Sequence, residues 1–214
     1  MKNKQAILLL SGGIDSTTLL AKLATEGLDV IALSFNYGQK HCVELEFAKI
    51  NAQKYGVKHH RIINLDNCFF DSSALINQEI DVSTYKSQIL PTGKVNAYIP
   101  YRNLVFTSIA LSFAENIGVE EIYLAFNKDD SKNFWDCKND FIDYLNRISN
   151  LNNAIKVKTP FIDLTKKEVI ALAKKLNVSI ESTITCYQPN GTTECGYCLS
   201  CVTKKLALKE LSGL

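Results

Sequence analysis

Three things are scarce in this 214-residue sequence: arginine, excess charge and long apolar runs. The chain has only Arg61, Arg102 and Arg147, and its formal net charge is +2. This balance gives no electrostatic reason to expect a nucleic acid or an anionic membrane as a partner. The apolar run at residues 6–10 is far too short to cross a bilayer. Composition therefore argues against a membrane-spanning or nucleic-acid-binding protein.

The N-terminal end shows no signal-peptide pattern, because residues 1–5 lead directly into the first apolar run. We therefore expect a cytoplasmic protein, in which the seven cysteines stay reduced unless they bind a metal. The length fits one domain with a small appendage. We place a main domain at residues 1–178 and a small C-terminal region at residues 179–214.

Strand and helix patterns alternate along the first part of the chain. The patterns predict strands over residues 7–10, 30–35, 59–65 and 121–126, and helices over 17–24, 42–55, 103–117, 141–151 and 165–176. Such alternation is typical of an α/β protein with a Rossmann-like, doubly wound parallel sheet. Ligands of these sheets lie beyond the carboxyl ends of the strands, where residues 11–16 and 36–39 fall.

Residues 66–98 lack a clean hydrophobic period. A stretch of this length inside a compact domain is usually functional or partly disordered. We predict that it is a lid or loop insertion.

The most informative stretch is Ser-Gly-Gly-Ile-Asp-Ser at residues 11–16, here called the SGGIDS loop. Two glycines permit a sharp turn from strand to helix, which aims backbone amides at one spot near the positive end of a helix dipole. The usual phosphate loop carries a lysine, whereas this loop carries Asp15, which is free to act through Mg²⁺. The loop predicts an enzyme that splits ATP between its α and β phosphates; the alternative is a tight turn without a ligand.

Four cysteines near the end of the chain have the spacing C-x8-C-x2-C-x2-C, at Cys186, Cys195, Cys198 and Cys201. A C-x2-C pair places two thiolates on one ion, and four thiolates close a tetrahedral zinc shell. A closed shell has no open position, so we expect one structural Zn²⁺ per chain. An iron–sulfur cluster, a redox dithiol and a nucleic-acid-binding zinc ribbon are the alternatives.

Several segments carry a family resemblance. The SGGIDS loop resembles the pyrophosphate loop of the N-type ATP pyrophosphatases, which have an adenine nucleotide alpha hydrolase-like fold. Residues 35–39 resemble the Phe-Asp-Tyr-Gly-Gln segment of one subgroup, 100–103 its Pro-Gly-Arg-Asn, 136–137 part of its Pro-Asp-Cys-Arg, 159–161 its Thr-Pro-Leu, and 185–201 its zinc-binding end. That subgroup is the 7-cyano-7-deazaguanine synthase (QueC) family of the queuosine pathway.

The resemblance implies an ATP-dependent ligase. It would adenylate the carboxylate of 7-carboxy-7-deazaguanine, let ammonia displace AMP, and activate the resulting amide again to give the nitrile. The implied cofactors are ATP, catalytic Mg²⁺ and structural Zn²⁺. The implied partners are the deazaguanine acid, ammonia and a second copy of the chain in a homodimer, with no nucleic acid or membrane.

The resemblance also assigns residues to these ligands. ATP would contact Leu10, Ser11, Gly12, Gly13, Asp15, Ser16, Thr17, Thr18, Phe35, Tyr37 and Gln39. The deazaguanine acid would contact Arg102, Asn103, Phe134, Trp135 and Asp136. The expected catalytic set is Ser11, Asp15, Ser16 and Arg102.

The acid-binding residues also have structural alternatives. Arg102 would form a surface salt bridge, and Asn103 or Asp136 would cap a helix. Phe134 and Trp135 would pack in the core.

The chain departs from the family pattern where the acid should bind. Tyr101 and Ala125 stand where we expect glycine, and residues 129–138 differ from the segment they resemble. A tyrosine in place of glycine narrows a pocket or changes the backbone beside it. These departures motivate a rival in which the activated acid passes to another amine, such as one on a protein. Two further rivals are a tRNA-modifying enzyme of the same superfamily and a non-catalytic zinc-ribbon module.

Overall fold

The computed structural model describes residues 4–66, 70–84 and 95–213. Within these ranges the helices and strands follow one another as β1 (Gln5–Leu9), α1 (Ile14–Thr25), β2 (Asp29–Asn36), α2 (Glu44–Lys54), β3 (His59–Asn64), α3 (Arg102–Ile117), β4 (Glu121–Tyr123), α4 (Asn139–Ser149), β5 (Lys156–Lys158), α5 (Lys166–Lys175) and α6 (Leu199–Ser212). Short 3-10 helices lie at Asp130–Lys132, Trp135–Cys137 and Ile180–Ser182.

In the described part of the chain, the strands form one parallel sheet in the order β3-β2-β1-β4-β5. On β1, Ile7 pairs with Ile31 of β2 on one side and with Ile122 of β4 on the other. The chain runs outward from β1 to β3 and then returns to the opposite side of β1. Such a reversal is the switch point at which doubly wound sheets bind ligands. The predicted doubly wound parallel sheet is confirmed.

Helices cover both faces of the sheet. Leu8 on β1 packs into an apolar cluster with side chains of α1, α2 and α5. The neighbouring Ile7 points the other way and packs with side chains of α3 and α4. Both residues are fully buried, which is why the inner strands are almost continuously apolar.

The predicted helices and strands are all present, with ends shifted by up to three residues. Two further elements, β5 and α6, were not predicted. In β5 only Val157, between two lysines, is buried, so the sequence has no apolar run that would predict the strand. In α6 only Cys201 and Ala207 are buried, so the helix lacks a strong apolar stripe.

The segment predicted as a lid is only partly described, because residues 67–69 and 85–94 lie outside the described ranges. Its described parts consist of turns. They bury Phe70, Leu75, Ile76 and Val82 in the larger apolar cluster. These side chains anchor the segment beside the sheet, and its role as a lid stays a prediction.

The C-terminal part packs on the rest of the fold. Ala207 of α6 joins Ile170 and Ala173 of α5 in a small apolar cluster that also includes Ile14. The division of the chain at residues 178 and 179 stays a prediction. Among the helices of the described ranges, none has both the length and the apolar character needed to cross a membrane.

Candidate active site

A cavity opens where the strands of the sheet end, here called the central cavity. Its wall combines the SGGIDS loop, the ends of β2 and β4, the first turns of α2 and α3, and residues 184–187. This position is the switch point of the sheet. Sequence positions far apart therefore share one cleft at the place where the fold favours a ligand.

The SGGIDS loop has a tight local structure. Gly12 has φ +85°, and a Cβ there would lie 2.2 Å from the Glu44 carbonyl oxygen and 2.7 Å from the Ala48 nitrogen. Only glycine permits this close approach to α2. Gly13 occupies the N-cap of α1 without a side-chain hydrogen bond, so the first-turn amides of this helix are not capped by a side chain. Such an uncapped N-terminus suits a phosphate.

The residues predicted to contact ATP in and beside the SGGIDS loop divide into two groups. Leu10, Ser11, Gly13, Asp15 and Ser16 line the central cavity. The Ser11 and Ser16 hydroxyls lie 3.1 Å apart. Gly12, Thr17 and Thr18 are buried outside the cavity lining, and the Thr18 hydroxyl donates to the Ile14 carbonyl at 2.6 Å.

The lysine that the loop lacks comes from elsewhere in the chain. Lys166, the first residue of α5, forms a 2.5 Å ion pair with Asp15 through its ammonium and lines the cavity. Its backbone nitrogen donates to Asp129 at 2.7 Å. The sequence contained a signal for this ion pair, since a lysine at the first position of a helix is repelled by the helix dipole. That placement needs a compensating partner, and Asp15 provides one.

Carboxylates surround this ammonium group. Burial raises the pKa of Asp130 to about 6, although Lys166 opposes the shift. Burial alone would lower the pKa of Lys166, but Asp15 and Asp130 raise it. Asp15 also keeps its Oδ1 atom buried without a hydrogen-bond partner. An ammonium and an orphaned carboxylate oxygen therefore lie side by side at the SGGIDS loop.

The residues after β2 form a second wall of the cavity. Phe35 stacks on Phe106 with ring centres 4.0 Å apart, and both line the cavity with Tyr37. Gln39 lies outside the lining and holds the turn together: its side chain accepts from the Tyr37 nitrogen at 2.8 Å and donates to the Phe35 carbonyl at 3.0 Å.

Arg102 begins α3 and lines the cavity. Its guanidinium lies 3.5 Å from the Tyr37 hydroxyl and 3.3 Å from the Asn103 amide oxygen. No carboxylate of the described residues forms a salt bridge with it. Burial opposes its charge, but Tyr37 and Asp136 raise the pKa of Arg102. A charged guanidinium without a paired carboxylate is a ready site for an anion.

The other residues assigned to the acid are only partly brought together. Asn103 and Phe134 line the cavity with Arg102, whereas Trp135 and Asp136 lie outside its lining. Trp135 is 41% exposed, and its indole nitrogen donates to the Tyr98 hydroxyl at 2.8 Å. Asp136 is buried, which raises its pKa, and its Oδ1 atom has no hydrogen-bond partner.

The alternative capping roles are not adopted. Asn103 is the second residue of α3, whose N-cap is Tyr101. The N-cap of α4 is Lys138, so Asp136 does not cap that helix.

Tyr101 and Ala125, which stand where we expected glycine, differ in whether they line the cavity. Tyr101 has φ +53°, a conformation typical of glycine, and its side chain is 57% exposed against the edge of Trp135. Its ring lies outside the cavity lining, so it does not narrow the pocket. Ala125 does line the cavity.

Besides Lys166 and Asp130, sequence reasoning missed His41 and Glu44, which also line the cavity. Burial raises the pKa of Glu44 to about 7, while Gln39 and Arg102 oppose the shift. Burial lowers the pKa of His41 to about 3, so its ring is neutral. Both stand at the start of a predicted helix, where an acidic residue is ordinary, and nothing local distinguishes them from surface groups.

The four C-terminal cysteines form one cluster. The sulfur atoms of Cys186, Cys195, Cys198 and Cys201 all lie within 4.8 Å of one another, an arrangement that could hold a metal ion. The backbone nitrogen of Cys195 lies 3.2 Å from the Cys186 sulfur. The adjoining residue Tyr187 lines the central cavity. The cluster therefore adjoins a loop that forms part of the cavity wall.

Comparisons with known proteins agree over nearly the whole chain. A family model described as queuosine biosynthesis protein QueC matches residues 5–212. A 7-cyano-7-deazaguanine synthase of Rickettsia akari is 37% identical over 216 residues, which cover 97% of this chain and 95% of that protein. The synthase of the same name from Saccharophagus degradans is 37% identical over 218 residues, with 98% and 95% covered. The structure of NMN synthetase from Francisella tularensis shares the fold, with a TM-score of 0.53 at 18% identity over 99% of this chain and 77% of that one.

Proposed function

The chain belongs to the family described as queuosine biosynthesis protein QueC, and we therefore propose that it is an ATP-dependent 7-cyano-7-deazaguanine synthase. The substrates are 7-carboxy-7-deazaguanine, ATP and ammonia. One observation carries the proposal beyond the family match. The SGGIDS loop with Lys166 and the unpaired guanidinium of Arg102 line the same cavity, so a nucleotide and an organic acid can meet there.

The SGGIDS loop and Lys166 bind the phosphates in this proposal. The substrate carboxylate oxygen attacks the α-phosphorus, and pyrophosphate leaves with the bonding electrons. The uncapped amides of α1 and the Lys166 ammonium stabilise the charge that develops on this leaving group. Asp15, through its orphaned oxygen, and Asp130 would hold Mg²⁺, which neutralises phosphate charge when bound.

Arg102 binds the carboxylate of the deazaguanine acid. It thereby offsets the repulsion between two anions that must approach each other. Asn103 and Phe134 line the same part of the cavity and would contact the ring. The predicted contacts of Trp135 and Asp136 with the base stay predictions, since both lie outside the cavity lining.

The reaction balances with two ATP molecules, each of which activates the oxygen on the same carbon. Ammonia attacks the acyl-adenylate, and AMP leaves with the former carboxylate oxygen to give the amide. The amide oxygen then attacks the α-phosphorus of a second ATP, and pyrophosphate leaves with the bonding electrons. Loss of AMP and the remaining amide protons leaves the carbon–nitrogen triple bond. A cleft that excludes water protects each adenylate from hydrolysis.

The decisive experiment uses purified protein, Mg-ATP and 7-carboxy-7-deazaguanine with and without ammonia. We expect AMP release that depends on the acid, and nitrile formation that depends on ammonia. Release of AMP without nitrile, or a mass adduct on a protein, would indicate that the activated acid passes to an acceptor other than ammonia. No acid-dependent AMP would overturn the proposal.

The cysteine cluster is proposed to hold a structural Zn²⁺. The Cys195 and Cys201 sulfurs lie 3.9 Å apart, close to the edge of a tetrahedron with zinc–sulfur bonds of about 2.3 Å. When bound, the ion would tie residues 184–187 to the cavity wall. Metal analysis is expected to give about one zinc per chain, and a visible iron chromophore would contradict it. We also propose a cytoplasmic homodimer that acts on small molecules without nucleic acid.

A further inference from the structure

We propose that Glu44 accepts the proton of the attacking ammonia, and that Glu44 and His41 together form the subsite where this nucleophile binds. The inference rests on the proposed function, because it concerns the step in which ammonia displaces AMP. It assigns a role to two cavity residues that the phosphate and acid contacts do not use.

The fold holds Glu44 beside the reacting groups. Glu44 is the first residue of α2, and its carbonyl oxygen lies 2.2 Å from the place that a Cβ of Gly12 would take. The α2 backbone is therefore packed directly against the SGGIDS loop. The Glu44 side chain lines the cavity that Asp15 and Arg102 also line.

The hydrogen bonds of Glu44 leave capacity for a ligand. The Gln39 side-chain amide donates to Glu44 Oε1 at 3.1 Å, and His41 Nε2 lies 3.6 Å from the same oxygen. No described residue donates to Glu44 Oε2. His41 is 7% exposed, and its Nδ1 atom is buried without a partner. The two residues thus offer acceptors to a small donor such as ammonia.

The chemistry needs such an acceptor. Ammonia is mostly protonated in neutral water, and ammonium has no lone pair with which to attack. The carboxylate takes that proton, the nitrogen lone pair forms the bond to carbon, and AMP leaves with the electrons of its carbon–oxygen bond. The phosphate of AMP takes the second proton, which the nitrogen loses as the amide forms. Burial raises the pKa of Glu44 to about 7, which suits proton exchange near neutrality. Arg102 and Gln39 favour the charged carboxylate, and Tyr37 and His41 are the other titratable groups beside it.

The test compares wild type with Glu44→Gln and uses hydroxylamine as a second nucleophile. Hydroxylamine is unprotonated at neutral pH, so it needs no base before attack. For Glu44→Gln we expect amide formation from ammonia to fall about 10²-fold, while the hydroxamate forms nearly as fast as in wild type. Acid-dependent exchange of pyrophosphate into ATP, measured without ammonia, is expected to persist. At fixed total ammonium, the wild-type rate should level off above about pH 7, once Glu44 is ionised, whereas the residual rate of Glu44→Gln should keep rising with the fraction of free ammonia.

Glu46→Gln is the matched control, because Glu46 lies on the same helix but is exposed and pairs with Lys49; its rates should equal those of wild type. An ammonia rate within threefold of wild type for Glu44→Gln, or equal loss with both nucleophiles, would overturn the inference. If that variant does not fold, Glu44→Asp takes its place, and a selective loss with ammonia is again required. Failure of wild type itself to adenylate the acid would instead refute the proposed function.

Discussion

The two ends of the central cavity are built in different ways. The phosphate end, where we propose that ATP binds, consists of the SGGIDS loop, six consecutive residues, with one distant lysine, Lys166. The acid end, where we propose that the deazaguanine acid binds, joins the start of α3 to the segment after β4, through Arg102, Asn103 and Phe134. One end is a local backbone motif, and the other exists only once the sheet has assembled.

The two ends also differ in charge. At the phosphate end, carboxylates of Asp15 and Asp130 surround a single ammonium and leave one oxygen unpartnered. At the acid end, Arg102 has no salt bridge to a carboxylate among the described residues. The first end can accept a cation together with phosphates, and the second can accept an organic anion. A ligase that brings a carboxylate to the triphosphate of ATP needs this division of charge.

The largest expected effect comes from breaking the phosphate end at Lys166. Lys166→Met removes the one ammonium that pairs with Asp15, and charge on leaving pyrophosphate loses a buried donor. We expect kcat/KM for acid-dependent pyrophosphate exchange to fall about 10²–10³-fold.

The matched control is Lys167→Met, which changes the next residue, 45% exposed, whose ion partner Glu210 lies 3.6 Å away. Its exchange rate should stay at the wild-type level. A drop of less than tenfold for Lys166→Met, in a variant that melts like wild type, would remove Lys166 from the phosphate end.

A smaller effect should separate the two ends at Arg102. Arg102→Gln keeps a polar side chain but loses the charge that would pair with the substrate carboxylate. A hydrogen bond to a charged group contributes about 1.5–3 kcal/mol, so we expect KM for the deazaguanine acid to rise roughly 10–100-fold. KM for ATP should change little. Equal increases for both substrates would show that the guanidinium serves the phosphates, and the comparison between the two ends would fail.

The sequence predicted the phosphate end better for a physical reason. Strand, glycine turn and helix are local features, and the SGGIDS loop with its neighbouring residues shows all three in succession. The four cysteines are equally explicit, because ligand spacing determines which sulfurs can meet. Lys166 was missed because 151 residues separate it from Asp15. Only the packing of α5 beside α1, through Ile170 and Ile14, brings them together.

The acid end shows the opposite limit. Family-like segments drew attention to Arg102 and Asn103, which line the cavity, but they could not show which neighbouring side chains turn inward. Phe134 lines the cavity, while the next residue, Trp135, turns toward Tyr98 and Tyr101. Phe134 has an extended backbone, and Trp135 begins a 3-10 turn. Single-sequence patterns do not resolve this change of backbone direction. Glu44 was missed because a carboxylate on the first turn of a helix usually faces water.

The smallest expected effect tests whether the departure at residue 101 belongs to the acid end at all. Tyr101→Ala and Tyr101→Gly both delete the ring contact with Trp135, whose centre lies 5.4 Å away. Only glycine relieves the positive φ of this position, which costs other residues about 1–2 kcal/mol. In denaturant unfolding, we expect Tyr101→Gly to be more stable than Tyr101→Ala by about 1 kcal/mol. Adenylation rates of the two variants should match, since the ring lies outside the cavity lining. Equal stabilities would mean that residue 101 is not left-handed in solution, whereas a changed KM for the acid would return Tyr101 to the acid end.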